Sequence, residues 1–271
     1  MPTLGEEPDG TPQWTPEVVQ KLARSFGAEA ARYDRTRPPY PDALINRIAR
    51  PGLRAVDVGC GTGILSRQLR TAGCATLGVE PDERMAAFAR QTGLDVEVSA
   101  FETWDPAGRE FDAVVAGQSW HWVDPDAGPR QAARALRSGG LFVALWHVFA
   151  APEPIARAFI DAYRHAAPDI PLRFGITPEE ARESYAALLA RSTDGFQRSG
   201  AFAEPARWRA DWEHGYSTAD YVALLPTMSP VAALTADQRT AVLDAVRVAI
   251  DAQGGEFVMP FSTIALAAVR S

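Results

Sequence analysis

The stretch "DVGCGTG", residues 57–63, places three glycines in seven positions. It follows the apolar run "RAVDV" (54–58) and precedes a helical pattern, Ile64–Ala72, with Leu65, Leu69 and Ala72 on one face. A glycine-rich turn between a strand and a helix means that something lies close against the backbone there. Two common ligands do not fit. The dinucleotide fingerprint G-x-G-x-x-G, counted from Gly59, meets Ile64 where its third glycine belongs. A phosphate-cradling loop would end in Gly-Lys-Ser/Thr, and "GTGILS" has no lysine. Asp57, at the start of the loop, repels a pyrophosphate and favours a cationic group.

Strands and helices alternate outward from this point. "ATLGVE" (75–80), "LDVEVS" (94–99), "FDAVVAG" (111–117) and "LFVALWHV" (141–148) are strands. Helices are expected at 64–72, 82–91 and 125–137, the last closed by Gly139-Gly140. The strands are short, apolar on both faces and rich in Val and Leu, as a parallel sheet covered on both sides requires. The order predicts a doubly wound α/β sheet. Upstream, Pro16 to Ala31 is helical, with Val18, Val19, Leu22, Phe26 and Ala30 on one side. "RPPYP" (37–41) stops it, because three prolines in five residues cannot continue a helix. A short helix, 42–49, follows.

Beyond residue 150 the pattern changes. Helices are expected at 153–166, 178–190, 218–225 and 236–252, and strands at 207–214 and 256–269. Pro260 marks the last strand as an edge or a bulge. That strand pair can join the sheet as an antiparallel edge, and the helices from 153 to 190 with segment 191–206 would form a lid.

Composition narrows the partners. No run of about 18 apolar residues exists, so no membrane span is expected. The acidic, Pro-rich start "MPTLGEEPDGTPQWTPE" lacks the plan of a signal peptide and is expected to be a mobile tail over 1–16. Cys60 and Cys74 cannot make a metal cluster, and two reduced thiols suit a cytoplasmic protein. The net charge is -7, Lys21 is the one lysine, and no basic run exists, which disfavours general nucleic-acid binding. Oligomeric state is not legible.

Glu80 sharpens the ligand. It falls 21 residues after Gly59, at a strand end, where a carboxylate can take both hydroxyls of a ribose. A ribose, a cationic part and no pyrophosphate fit S-adenosylmethionine (SAM). With these residues in place, the chain resembles the class I SAM-dependent methyltransferases. "VDVGCGTG" is similar to the family's first motif and "GVEPDERMAAFAR" to its second. "VSAFETWD" resembles the adenine-side loop, "FDAVVAGQSWHWVD" the fourth strand and its loop, and "ALRSGGLFVALWH" the turn into the fifth strand. The start, "FGAEAARYDRTRPPYP", is similar to the small-molecule branch that includes trans-aconitate methyltransferases.

The resemblance implies a seven-stranded sheet, mostly parallel with an antiparallel last strand, and a helical lid. It divides one domain, 17–271, into N-terminal helices over the ligand site (17–50), a SAM-binding core (51–150), the lid (151–206) and the last strands and helices (207–271). Gly59, Gly61 and Gly63 would face the methionine part, Asp57 its amino group, and Glu80 the ribose. Met85 would cover the adenine or simply pack in the core. Phe101 and Glu102 follow the third strand, and Glu102 either accepts from the adenine amine or is a helix-cap or surface acid. Gln118 would border the methionine part. Tyr33 and Arg37 would lie near the mouth, where Arg37 either binds a carboxylate or caps its helix. Tyr40, Trp120 and Trp122 would line the substrate side. His121 is either a general base or a packed ring.

The implied activity is methyl transfer to a small molecule, a carboxylic acid or a secondary metabolite. Arg173, Arg207 and Arg209 are candidates to meet an acid or are solvated surface groups. A non-methylating SAM reaction and a regulatory SAM-binding protein are the alternatives. An NAD oxidoreductase is disfavoured by Ile64.

Overall fold

The structure, a computed structural model, describes residues 29–168 and 177–271. The expected tail, most of the first helix and Arg173 lie outside the described residues. The chain forms two compact units, each gathered from separate stretches. A glycine-loop unit takes Pro39–His147, Ala187–Ala210 and Thr263–Ser271, and a helical unit takes the described residues up to Pro38, between Val148 and Ala186, and Asp211–Ser262. Neither is a continuous piece of chain such as 51–150 or 151–206.

The sheet has seven strands: β1 (Arg54–Val58), β2 (Ala75–Val79), β3 (Asp95–Glu97), β4 (Phe111–Gly117), β5 (Leu136–Phe149), β6 (Ala206–Ser217) and β7 (Glu256–Val269). Their order is β3-β2-β1-β4-β5-β7-β6. The pairs β1–β2, β1–β4, β2–β3 and β4–β5 are parallel. From β1 the chain winds outward through β2 and β3, then returns to β4 on the other side. This reversal makes the β1/β4 boundary the switch point, where open α/β sheets take ligands at the strands' carboxyl ends.

β7 runs antiparallel to both neighbours. On the β5 side, Gly140 bonds to Arg270, His147 meets Thr263 and Phe149 meets Phe261, one number rising as the other falls. On the β6 side the same holds for Ala203 with Val269, Asp211 with Ser262 and Tyr216 with Phe257. β7 therefore lies between β5 and β6, and β6 is the edge. Pro260, expected to mark an edge or a bulge, sits in the inner strand of that edge pair, and its ring is exposed.

The burial pattern follows the layers. Along β7, residues 256–261 alternate exposed and buried, so one face there is wet. β4 is apolar and covered on both faces, as a central parallel strand must be. On one face of the glycine-loop unit, Ala55, Val115, Val143 and Leu145 meet Leu44 and Ile48 of helix Asp42–Ile48 and Leu65 and Leu69 of helix Ile64–Thr71. On the other, Phe142 packs with Trp120 and Phe196, whose rings are 4.5 and 4.4 Å away.

The helical unit has its own core. Val242, Val246 and Ile250, four residues apart on helix Ala236–Asp251, are wholly buried, with Ile155, Phe159 and Tyr163 of helix Glu153–Ala166 and Met259 of β7 in the same cluster. A capping box between Thr235 and Gln238 starts the helix at 236.

Two boundary expectations are corrected. The helix expected to end at 190 runs through Pro178–Ser199. No proline stops it, and the Ser192 and Thr193 hydroxyls bond back to the carbonyls of Leu188 and Leu189. Its Phe196 is core, so segment 191–206 is not a detached lid. The Gly139-Gly140 pair does not close a helix. The helix ends at Ala135, and the glycines lie inside β5, where the register against β4 shifts and Gly139 takes φ +70°. Among the described residues no helix is long and apolar enough to cross a membrane, and no cluster of His, Cys, Asp or Glu could hold a metal ion.

Candidate functional site

The loop between β1 and the helix at Ile64 holds Gly59, Gly61 and Gly63 at φ +60°, +57° and +89°. Each lies in the left-handed region, where a Cβ is strained. The surroundings differ. A Cβ on Gly63 would enter the Leu94 side chain, and one on Gly59 would lie 2.7 Å from Cβ of Ser119, whereas nothing stands within 4 Å of one on Gly61. The outer glycines are fixed by packing, and Gly61 faces open space. The loop is braced by Gly59 N–H donating to the Val79 carbonyl at 2.7 Å and the Ser119 hydroxyl donating to the Val58 carbonyl at 2.5 Å.

Two carboxylates flank this loop. Asp57, 1% exposed, accepts the Ser66 hydroxyl at 2.7 Å on Oδ2, while Oδ1 is buried and accepts nothing from the described residues. Burial, with the charge of Glu80 nearby, pushes its pKa up to about 7, although the Ser66 bond opposes this. Glu80, 7% exposed, accepts the N–H of Gly61 at 2.8 Å and of Asp82 at 2.9 Å. Burial pushes it too up to about 7, against those two bonds. Two buried acids this near neutrality favour a ligand that brings positive charge and hydroxyl donors.

The fourth strand ends in an unusual conformation. Gln118, not a glycine, adopts φ +56°, and its Oε1 is buried without a partner among the described residues. Such strain costs about 1–3 kcal/mol, and an unpaired buried oxygen costs about 1–3 kcal/mol more. The 3₁₀ turn Trp120–Trp122 follows. Trp120 is 3% exposed, its ring packed on Phe101, Phe142 and Phe196, so it belongs to the core rather than to a substrate wall. Trp122 is half-buried, its ring 4.8 Å from that of His121.

His121 does not fit the general-base expectation. Burial lowers its pKa to about 3, so the ring is neutral. The Trp146 indole N–H donates to its Nδ1 at 3.4 Å, and its Nε2 is buried without a partner among the described residues. An indole can only donate, so Nδ1 keeps its lone pair and the ring's one proton sits on Nε2.

The remaining expectations divide. Met85 is buried on helix Glu83–Gln91, which Asp82 caps through the Arg84 N–H. Phe101 is buried between Trp104 and Trp120. Glu102 accepts the N–H of Asp124 at 2.8 Å, which ties the turn Phe101–Thr103 to the turn after β4. Tyr40 stacks on His147 at 4.7 Å, and its hydroxyl fills the space in front of Gly117.

Tyr33 and Arg37 belong to the helical unit. There the Arg37 guanidinium lies over the Tyr33 ring at 4.8 Å and donates to both the hydroxyl and the carbonyl of Thr227. The Arg37 backbone N–H donates to the Tyr33 carbonyl at 3.0 Å, so Arg37 caps the helix Ala30–Thr36 as the second reading expected, and its side chain joins that helix to the turn Leu225–Thr227. Ser66, Ser119 and Trp146 shape the site and escaped the sequence reading. Only Ser119, inside "QSWHW", carried a signal.

Comparison with known proteins agrees with this geometry. Residues 56–144 match a family model described as a methyltransferase domain. An uncharacterized methyltransferase of Mycobacterium tuberculosis is 34% identical over 130 residues, 46% of this chain and 53% of the relative. The trans-aconitate 2-methyltransferase of Mycolicibacterium gilvum is 36% identical over 143 residues, 51% of this chain and 49% of the relative. The chain thus spans about half the length of the curated relatives it matches. A solved structure of a candidate type II methyltransferase from Anaeromyxobacter dehalogenans shares the fold, with TM-score 0.58 and 24% identity over 85% of this chain and 97% of that one. Residues 56–144, which hold the switch-point loop and its two flanking acids, are thus similar to a methyltransferase domain.

Proposed function

We propose that the chain is a SAM-dependent methyltransferase whose acceptor is a small molecule, and more narrowly a carboxylic acid. One observation carries the SAM assignment: Asp57 and Glu80, buried acids held near neutrality, flank a loop whose middle glycine faces open space. Asp57 Oδ1 suits an ammonium group, and Glu80 suits a pair of ribose hydroxyls once Gly61 N–H gives way. Gln118 Oε1 offers a further acceptor at the methionine side. Gly59, Gly61 and Gly63 border that part, Met85, Phe101 and Glu102 the adenine side, and Tyr40 and Trp122 are proposed for the acceptor side.

When bound, SAM supplies an activated methyl group on a sulfonium, with a neutral thioether as leaving group. The chain's residues then bind, orient and exclude water, which in favourable cases is worth about 7–11 kcal/mol. The half-buried Trp122 ring offers a face to a cation, a contact worth about 0.5–2 kcal/mol. The acid class draws support from the trans-aconitate relative and from the neutral state of His121, since a carboxylate needs no base.

Thermal unfolding with SAM, S-adenosylhomocysteine and NAD tests the reading. A ligand at about 100 times its Kd adds about 2.7 kcal/mol, about 2–4 °C at this size. Stabilisation by SAM and S-adenosylhomocysteine, absent with NAD and weakened in Glu80→Ala, is expected. Stabilisation by NAD alone would refute the assignment.

A further inference from the structure

We propose that His121 is a fixed hydrogen-bond donor to an anionic oxygen of the methyl acceptor, and that Trp146 is the positioning residue that sets its tautomer. The inference rests on the methyltransferase reading and names the acceptor's chemical class: an oxyacid that arrives ionised, a carboxylate before a hydroxyl.

The geometry runs through three contacts. Trp146, on β5, is fully buried, and its indole N–H finds its acceptor in His121 Nδ1 at 3.4 Å. An indole nitrogen has no lone pair to offer. A proton on Nδ1 would therefore set two N–H groups against each other inside the core. The neutral ring must carry its proton on Nε2, and that nitrogen is buried with no acceptor among the described residues. A base at this position would have to gain a second proton with both nitrogens away from water. The ring is built to donate.

The turn that carries the ring is held from several sides. Ser119 is anchored to the Val58 carbonyl, the Trp120 ring is locked among Phe142 and Phe196, and the N–H of Asp124 is tied to Glu102. His121 thus projects from a rigid turn at the carboxyl end of β4, three residues past the buried acceptor of Gln118. Its one proton needs an oxygen lone pair from a bound molecule. An ionised oxygen is the strongest such acceptor. The same oxygen requires no proton removal before it attacks a methyl group.

The tautomer can be observed directly. Nitrogen-15-labelled protein is examined at pH 7.5 by long-range proton–nitrogen correlation of the histidine rings, with His121→Gln to assign the signal. A neutral ring protonated at Nε2, turning into a mixture of tautomers in Trp146→Phe, is the expected result. A ring protonated at Nδ1, or a charged ring, overturns the proposal.

Fumarate, citrate and benzoate, added in turn to the protein with S-adenosylhomocysteine, then probe the acceptor class against catechol. A downfield move of the Nε2 proton with any of the acids supports it. A response to catechol alone, or to none of the four, overturns the acid class. A full response to S-adenosylhomocysteine alone assigns the donor to the SAM side and overturns it as well. Thermal stabilisation by S-adenosylhomocysteine separates the two levels. If it persists while the tautomer is wrong, only the donor role falls; if it is absent, the methyltransferase reading falls with it.

Discussion

Asp57 and Glu80 hold opposed demands in two side chains. Both are buried, and both have folded pKa values near 7, above the ordinary carboxylate values of 3.8 and 4.5. The folded protein therefore binds more protons than the unfolded chain across this interval. The stability these groups contribute is full below pH about 4 and is lost as pH rises to about 7. Asp57→Asn should gain on the wild type over that window, its melting-temperature advantage widening from pH 4 to 7 and levelling above. A calorimetric series at constant ionic strength checks this. SAM, by pairing with the ionised acids, should stabilise more at pH 8 than at pH 5. His121 acts in the other direction: its folded pKa of about 3 lies below the ordinary 6.5, so its share of stability is present above pH about 6.5 and fades as pH falls towards 3. Gly63 is a different kind of constraint. Gly63→Ala meets φ +89° and the Leu94 side chain together, and should cost about 2–4 kcal/mol in denaturant unfolding, from strain plus overpacking.

At the scale of elements, the helix Pro178–Ser199 is tied into the glycine-loop unit by its C-terminal half. Phe196 is wholly buried against Trp120, Phe142 and Phe202, with centroids at 5.7, 4.4 and 4.9 Å. Gly195 permits this approach, because a Cβ there would run into the Pro125 carbonyl. Phe196→Ala should cost about 3–5 kcal/mol and loosen the Trp120–Trp122 turn, visible as a red-shifted tryptophan emission. The capping box at Thr235 is a smaller, local device. Thr235→Ala should cost about 1 kcal/mol and leave the emission unchanged.

For the molecule as a whole, the two units carry separate cores, and the residues most directly suited to SAM belong to the glycine-loop unit. Hydrogen exchange with S-adenosylhomocysteine should slow amides at 57–63, 80–82, 101–102 and 117–122. The buried helix face of Val242, Val246 and Ile250 should keep its rates. The net charge of -7 adds a general expectation: an acidic acceptor is repelled at long range, so apparent affinity should rise with moderate salt, where exposed charges are screened.

What the sequence determined by itself was whatever depends on neighbours along the chain. β1, β4, β7 and the helix Glu153–Ala166 begin and end where periodicity and turn residues place them. The glycine spacing and the distance from Gly59 to Glu80 pick out the ligand loop, since both elements start from adjacent parallel strands of the same short unit. Only the tertiary structure decided what depends on partners far away in sequence. The last strand pair forms the antiparallel edge that was expected, but that β7 lies inside it and β6 outside is decided by which strand pairs with β5. Trp120 was expected to wall a site and is core, because Phe142 and Phe196 arrive on other elements. Arg37 caps its helix, one of its two expected roles, but that its side chain also grips Thr227, 190 residues on, was not legible. The role of His121 turned on Trp146, since a ring's tautomer is fixed by the group that its other nitrogen faces, and local sequence carries no record of that group.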